Sequence, residues 1–383
     1  MQDRRTFATG LLLVSAKTAF SYQANSTPEI GLIGCGSRGT WIADLFLEYT
    51  GARIVAAADA FAEPLTKFGD KYKVAKRYAG VNGYRELVQQ KLDAVVIETP
   101  PYFHPEHAEA AVNAGKHVYS AKPIASDVVG SKQFLAASQA AASKGLSFWV
   151  DFQTRNRPVF QEAVARVHRG EIGEPAFGHV YYHARPNVVH PVDGLSAPEA
   201  ELKNWLHSRK LSGDIIVEQN VHVIDVANWY LRSNPVRAWG TSGQRIRKVG
   251  DVSDHFIVTY FYPNDVKVDF SSVQFGTGYS DLCMRLYGSD GTLDAHYGGS
   301  VKMTGKTQWI GSEKDDTFRG GAVQNIKDFV AAVKSGKPIN NGAESVKTNL
   351  TGILGRMAAS RETVVTWDEM MRTTARYDGA NKL

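Results

Sequence analysis

The stretch "EIGLIGCGSRGTW" (residues 29–41) decides how the rest of the chain is read. Ile30 to Ile33 form an apolar run with the character of a buried strand. Trp41 to Tyr49 read as a helix, with Ile42, Leu45, Phe46 and Tyr49 on one face. Between them stand Gly34, Gly36 and Gly39, spaced Gly-x-Gly-x-x-Gly, with Ser37 and Arg38 inside the loop. The first glycine permits a sharp turn, the second lets the backbone approach a pyrophosphate, and the third lets helix and strand pack closely. Unpaired N–H groups and the macrodipole at the helix N-terminus favour an anion there.

The next apolar run, "ARIVAAADAF" (52–61), ends in Asp59. Dinucleotide folds place an acidic residue on the ribose about 20 residues beyond the glycines, and Asp59 follows Gly34 by about 25. Ala60 and Phe61 come next, with no adjacent Arg or Lys to accept a 2′-phosphate. The pattern therefore favours NAD over NADP.

Working outward, strand and helix signals alternate from residue 28 to about 151. The runs "DAVVIET" (93–99), "HVYSA" (117–121) and "LSFWVDF" (146–152) flank helical segments closing on Gly115 and Gly145. Such alternation implies right-handed βαβ crossovers and a parallel sheet. Beyond residue 152 the pattern becomes successive strands with turn signals, among them "YPNDV" (262–266) and "YGSDGTL" (287–293). The expected fold is α/β. A dinucleotide-binding domain at 28–151 precedes a substrate and oligomerisation domain at 152–383, with a large, mostly antiparallel open sheet and two late helices.

Composition narrows the function classes. The 383 residues are 43% hydrophobic and 22% charged, ordinary for a globular protein of two domains. The formal charge of +5 is not gathered into a Lys/Arg block, so nucleic-acid binding is not indicated. Cys35 and Cys283 have no metal-ligand spacing, and no metal site is expected. Residues 1–27 contain "DRRTFATGLLLVSAKTAF", with Arg4–Arg5, Phe7 and an apolar run from Leu11 to Ala16. This resembles a twin-arginine export signal, followed by a linker, and points to a periplasmic or exported protein; if the leader is not functional the protein is cytoplasmic. The run is too short to span a bilayer.

Two segments carry the chemistry. In "ETPPYFHPEHAEAAVNAGKHVYSAKPIA" (98–125), Thr99 and Pro100 end the fourth strand, on the sheet edge where α/β folds open their ligand crevice. Lys122 ends the fifth strand on the same edge, where an ammonium can donate to a substrate oxygen. In "SGDIIVEQNVHVIDVANWYL" (212–231), read as one helix, Glu218 and His222 stand four apart on one face. A carboxylate there can orient the imidazole and raise its basicity.

The glycine loop, Asp59, "TPPYFH", "AKP" and the carboxylate-x-x-x-His helix occur in the order of the Gfo/Idh/MocA family of sugar and polyol dehydrogenases. The chain resembles that family over nearly its whole length after the leader. The resemblance implies an NAD-dependent oxidoreductase that oxidises or reduces a hydroxyl, at C3, of a sugar, polyol or glycoside. Lys122 and His222 are then catalytic, with Glu218 supporting them. Gly34, Gly36, Ser37, Arg38, Gly39, Asp59, Thr99, Pro100, His104, Lys122 and Gln153 fall at cofactor-binding positions. It also implies a homo-oligomer formed through the second domain's sheet. The chain departs from the family pattern at Ala121, where Glu is usual, and at Glu218, where Asp is usual.

Arg155, Tyr182, His183, Arg185, Trp205, His207 and Arg209 are candidates to line the sugar site, because aromatic faces cover C–H patches while fixed donors read hydroxyls. An exported enzyme would carry its NAD tightly bound. It would then need a second substrate to reset the cofactor. The alternative is a redox-neutral glycosidase, which oxidises transiently, eliminates the aglycone, adds water and returns the hydride.

Overall fold

The computed structural model describes residues 27–276, 278–312 and 318–376, so the export-like leader lies outside the described residues. Six parallel strands form the first sheet: β1 (Glu29–Ile33), β2 (Arg53–Asp59), β3 (Lys76–Ala79), β4 (Ala94–Ile97), β5 (His117–Ser120) and β6 (Phe148–Val150). Their order is β3-β2-β1-β4-β5-β6, the doubly wound arrangement of a Rossmann fold. The chain reverses its winding between β1 and β4, which opens a crevice beyond their carboxyl ends. Helices α1 (Ser37–Thr50), α2 (Ala62–Tyr72), α3 (His104–Asn113) and α4 (Val128–Ser143) make the crossovers. Helix α1 stops at Gly51, whose φ of 68° is left-handed and suits glycine.

After α5 (Pro158–His168) the chain enters a nine-stranded sheet. Its strands are β7 (Pro175–His183), β8 (Arg237–Gly243), β9 (His255–Phe261), β10 (Lys267–Val273), β11 (Asp281–Gly288), β12 (Gly291–His296), β13 (Val301–Gly305), β14 (Trp309–Ile310) and β15 (Val365–Thr366). The order is β14-β13-β12-β11-β7-β10-β9-β8-β15. Pairing is antiparallel except between β7 and β10, so the sheet is mixed and mostly antiparallel. Both expected hairpins are present, at 262–266 and at 287–293. Alternation decides what each face does. Val180, Phe256, Val258, Tyr260, Val268 and Phe270 point inward against α6 (Val221–Leu231) and α8 (Gly342–Arg361), while the other face mixes polar residues with exposed apolar ones, Phe177, Trp239 and Ile257 among them.

Two features tie the domains into one body. Helix α7 (Phe318–Ser335) follows the second sheet in sequence but packs on the first domain. Phe329 is fully buried, with its ring 6.4 Å from Phe46 and 5.4 Å from Tyr119. The edge strand β6 is covered by residues 339–341, where Asn341 donates to the Val150 carbonyl (2.9 Å) and accepts from its N–H (2.7 Å). An amide side chain thus completes the ladder of an edge that would otherwise be open. Among the described residues no helix is long and apolar enough to cross a membrane.

Phe329→Ala should cost about 3–5 kcal/mol, the usual penalty for emptying an aromatic site in a core. Denaturant unfolding measures it, and a loss below about 1 kcal/mol would show that α7 is not part of the first domain's core.

Candidate active site

The glycine loop folds as its spacing requires. Gly34 has a φ of 98°, and a Cβ there would stand 2.5 Å from the Glu98 carbonyl oxygen. A Cβ on Gly39 would stand 1.9 Å from the Gly34 carbonyl oxygen, so strand and helix meet only because both are glycine. A Cβ on Gly36 would meet nothing within 4 Å, which leaves an open cradle at the start of α1. That helix has no side-chain cap and no acid in its first turn, so its N–H groups are free to face an anion. Asp59 ends β2 with its carboxylate accepting from the N–H groups of Cys35 (2.7 Å) and Phe61 (2.8 Å). Lys203, from the second domain, lies over the Phe61 ring and pulls on the Asp59 charge. The cradle, the uncapped helix and the strand-end carboxylate fit a dinucleotide.

Beyond the crevice, on the β4–β5–β6 side, the ionisable groups are crowded and dry. Arg38 donates to Asp151 at 2.6 Å and lies 3.6 Å from Glu98, with its guanidinium over the Trp41 ring. Asp151 also accepts from Gln153 (2.9 Å) and Asn325 (2.7 Å). Both Glu98 oxygens are buried without a hydrogen-bond partner, and burial pushes this carboxyl up to about 8 against the pull of Arg38. His104 bridges two strand-end segments, contacting the carbonyls of Thr99 (2.6 Å) and Pro123 (2.7 Å), and burial pushes it down to about 4.

Lys122 donates to the Glu218 carbonyl oxygen at 2.6 Å and lies 3.3 Å from its carboxylate. This pair joins the end of the first sheet to the second domain. The segment expected as one helix is broken here. A short turn, Ile215–Glu218, ends before α6 begins at Val221, and the N–H groups of Gln219 and Asn220 both return to the Ile215 carbonyl. The expected Glu218–His222 pairing is therefore corrected: Glu218 serves Lys122, and the His222 Nδ1 atom is buried without a partner. Burial, then the charges of Lys122 and Arg38, hold the His222 imidazole well below the usual histidine range, so it stands neutral. The Tyr297 ring lies 5.5 Å from it.

The candidate sugar contacts divide. Tyr182 lies on the inner face of β7 in the field of Glu218 and Tyr297, which places it at the site. All of the others but Arg185 are engaged elsewhere. Arg155 makes a bidentate pair with Asp225, at 2.8 Å for each bond. Arg209 donates to Asp214 (3.1 Å). His183 is on the outer face of β7, stacked on Tyr181. His207 contacts the Val188 carbonyl and Arg247. Trp205 packs with Tyr102, Phe103, Leu202 and Leu211, and Arg185 is exposed. Glu98, Asp151, Asn325 and Asn220 were not singled out from the sequence. Glu98 alone had a signal there, as a carboxylate closing an apolar strand beside Thr99. The two polar atoms of the Asn220 side chain are buried and unpartnered where the helix breaks.

Residues 29–152 match the NAD-binding Rossmann-fold model of the Gfo/Idh/MocA oxidoreductases, and residues 160–294 match that family's C-terminal domain model. The chain belongs to the Gfo/Idh/MocA oxidoreductase family. The two matches together span more than half of its length, and it is an NAD-dependent oxidoreductase. It is 24% identical over 327 residues to the myo-inositol 2-dehydrogenase of Thermotoga maritima, covering 81% of this chain and 89% of that protein. It is 27% identical over 316 residues to the scyllo-inositol 2-dehydrogenase (NAD(+)) of Bacillus subtilis, covering 80% and 86%. A solved levoglucosan dehydrogenase in complex with NADH has the same fold, with a TM-score of 0.73 at 18% identity over 89% of this chain and 99% of that one.

Glu98 makes stability depend on pH in a fixed direction. Its folded value of about 8 lies above the ordinary 4.5, so the native state holds the extra proton between them. Its contribution is present below about pH 4.5 and is lost as pH rises through 8. Wild type should therefore lose stability relative to Glu98→Gln as pH is raised from 5 to 9, and denaturant midpoints of the two proteins measure it. Parallel pH profiles would mean that Glu98 is ionised throughout.

Proposed function

We propose that this protein oxidises a ring hydroxyl, at C3, of a sugar, polyol or glycoside, with NAD held tightly between turnovers. The observation that carries the reading is the meeting of Lys122, from the first domain, with Glu218 and the neutral His222 of the second, at the crevice edge of the parallel sheet. The inositol and levoglucosan dehydrogenases that the chain resembles support the substrate class.

Gly34, Gly36 and Gly39 would hold the pyrophosphate and Asp59 a ribose, with Arg38 and Gln153 contributing to the same cofactor site. NAD, when bound, supplies the hydride acceptor. His222 takes the proton of the substrate hydroxyl, which its neutral state permits. Lys122 donates to the same oxygen and stabilises the negative charge that grows there as the carbon loses hydride. Glu218 keeps the ammonium aimed by holding it at two oxygens. Tyr182 offers the ring a face to lie against. Export through the Arg4–Arg5 leader belongs to this proposal: it accounts for a tightly held cofactor, since a folded enzyme would leave the cytoplasm already loaded.

His222→Ala should lower kcat by roughly 10²- to 10⁴-fold with NAD binding intact, as expected for loss of a general base. Lys122→Ala should also lower kcat. Because Lys122 depresses the His222 pKa, the same change should move the acid limb of the pH–rate profile to higher pH. Assay against a glycoside panel distinguishes the outcomes. A keto product with reduced cofactor supports the dehydrogenase, whereas aglycone release without net NADH means the redox-neutral route. A His222→Ala enzyme with most of its turnover would sink both. Separately, Arg4→Lys with Arg5→Lys should leave the protein in the cytoplasmic fraction, and unchanged fractionation would remove export from the proposal.

A further inference from the structure

The outer face of the nine-stranded sheet carries a cluster that the redox chemistry does not use. Cys283 on β11 stands directly opposite His296 on β12, and Asp294 is two residues before His296, hence on the same face. Sequence spacing showed no metal pattern because the cluster is built by strand pairing across a hairpin. The Cys283 Sγ is 3.8 Å from Asp294 Oδ1, and His296 Nε2 is 3.3 Å from the same oxygen. The three ligand atoms all lie within 4.8 Å of one another.

The 3.3 Å Asp294–His296 separation is that of a tetrahedral edge, and the 3.8 Å Cys283–Asp294 separation is slightly longer than one. With Zn–N and Zn–O bonds of about 2.0–2.1 Å and a Zn–S bond of about 2.3 Å, ligand atoms around zinc sit roughly 3.3–3.6 Å apart. The imidazole is already turned for this role. Its Nδ1 is fixed by Asp281 at 2.8 Å, which leaves Nε2 facing Asp294 and the thiol. A carboxylate behind a metal-binding imidazole sets its tautomer and raises its basicity. Asp281 is itself held by the Tyr181 hydroxyl at 2.7 Å. A crevice lined by Ser280, Gly298, Gly299 and Ser300 opens beside His296.

We propose that Cys283, Asp294 and His296 form a zinc site that clamps the β11–β12 hairpin. Binding forms a Zn–S bond as the Cys283 thiol proton leaves to solvent. Two cations oppose the metal. Arg285 donates to Asp294 Oδ1 at 2.7 Å, and Lys302 lies 3.6 Å from its other oxygen. They set the affinity below that of a site with an unshared carboxylate, and they make a prediction that nonspecific zinc adsorption does not.

The test uses the full chain without an affinity tag, titrated with zinc against a chromophoric chelator, and separately with cobalt(II). One equivalent should bind, zinc should raise the melting temperature, and cobalt should show a thiolate charge-transfer band. Cys283→Ser and His296→Gln should each abolish stoichiometric binding while leaving the metal-free melting temperature and NAD binding in place. Asp281→Asn should weaken zinc roughly 10- to 100-fold. Arg285→Gln should tighten it. Absence of binding at micromolar zinc, binding that survives both ligand substitutions, or a cobalt spectrum without the thiolate band would each overturn the proposal.

Discussion

The Asp151 carboxylate is the interaction on which the rest of this structure depends. It is fully buried at the end of the last parallel strand, and three segments of chain converge on it. Arg38 reaches it from the glycine-loop helix, Gln153 from the turn that leaves the first domain, and Asn325 from the helix that returns after the second sheet. Asn325 in turn accepts from Trp149 (3.0 Å) and Asn156 (2.7 Å). A buried charge left without partners is strongly destabilising, so these segments are held to one arrangement. The arrangement holds Arg38 against Asp151 and ties the turn that leaves the first domain to the helix that returns to it.

The proposed catalytic pair is divided between the domains. Lys122 comes from the first sheet's edge and His222 from the second domain, and the Lys122–Glu218 contact spans the gap. The helix break at Gln219–Asn220 is part of the same design. It turns the Glu218 carbonyl toward Lys122 instead of into an intrahelical bond, and so gives the ammonium two oxygens to hold. His222 is then left without a carboxylate of its own, and burial first, then the charges of Lys122 and Arg38, keep it unprotonated. A continuous helix with Glu218 bonded to His222 would have shifted the imidazole the other way.

Much of the first domain was legible in residues 28–151 because its signals are local. Gly34 and Gly39 have no alternative where a Cβ would collide with backbone, and the apolar strands alternate with helices whose ends fall at glycines. The sugar-site candidates were less legible. Arg155 and Arg209 have the chemistry of ligand-binding residues, yet each is spent on a buried aspartate, Arg155 on Asp225 far along the chain and Arg209 on Asp214 across the next turn. Nothing local separates an arginine that reads a substrate from one that neutralises a buried acid. His183 and Tyr182 are neighbours in sequence, and the period-two geometry of a strand sends them to opposite faces.

By itself, then, the sequence determined the Rossmann domain and the strand-rich second domain, and it singled out Asp59, Lys122 and His222 as candidates. These follow from short-range periodicity, glycine geometry and motif order. Only the tertiary structure decided that Glu218 serves Lys122, that Glu98 and Asp151 share Arg38, that α7 belongs to the first domain's core, and that Cys283 faces His296. Each of these is a contact that no local sequence pattern specifies. Its energy comes from burial and charge pairing, which exist only once the two segments have been brought together.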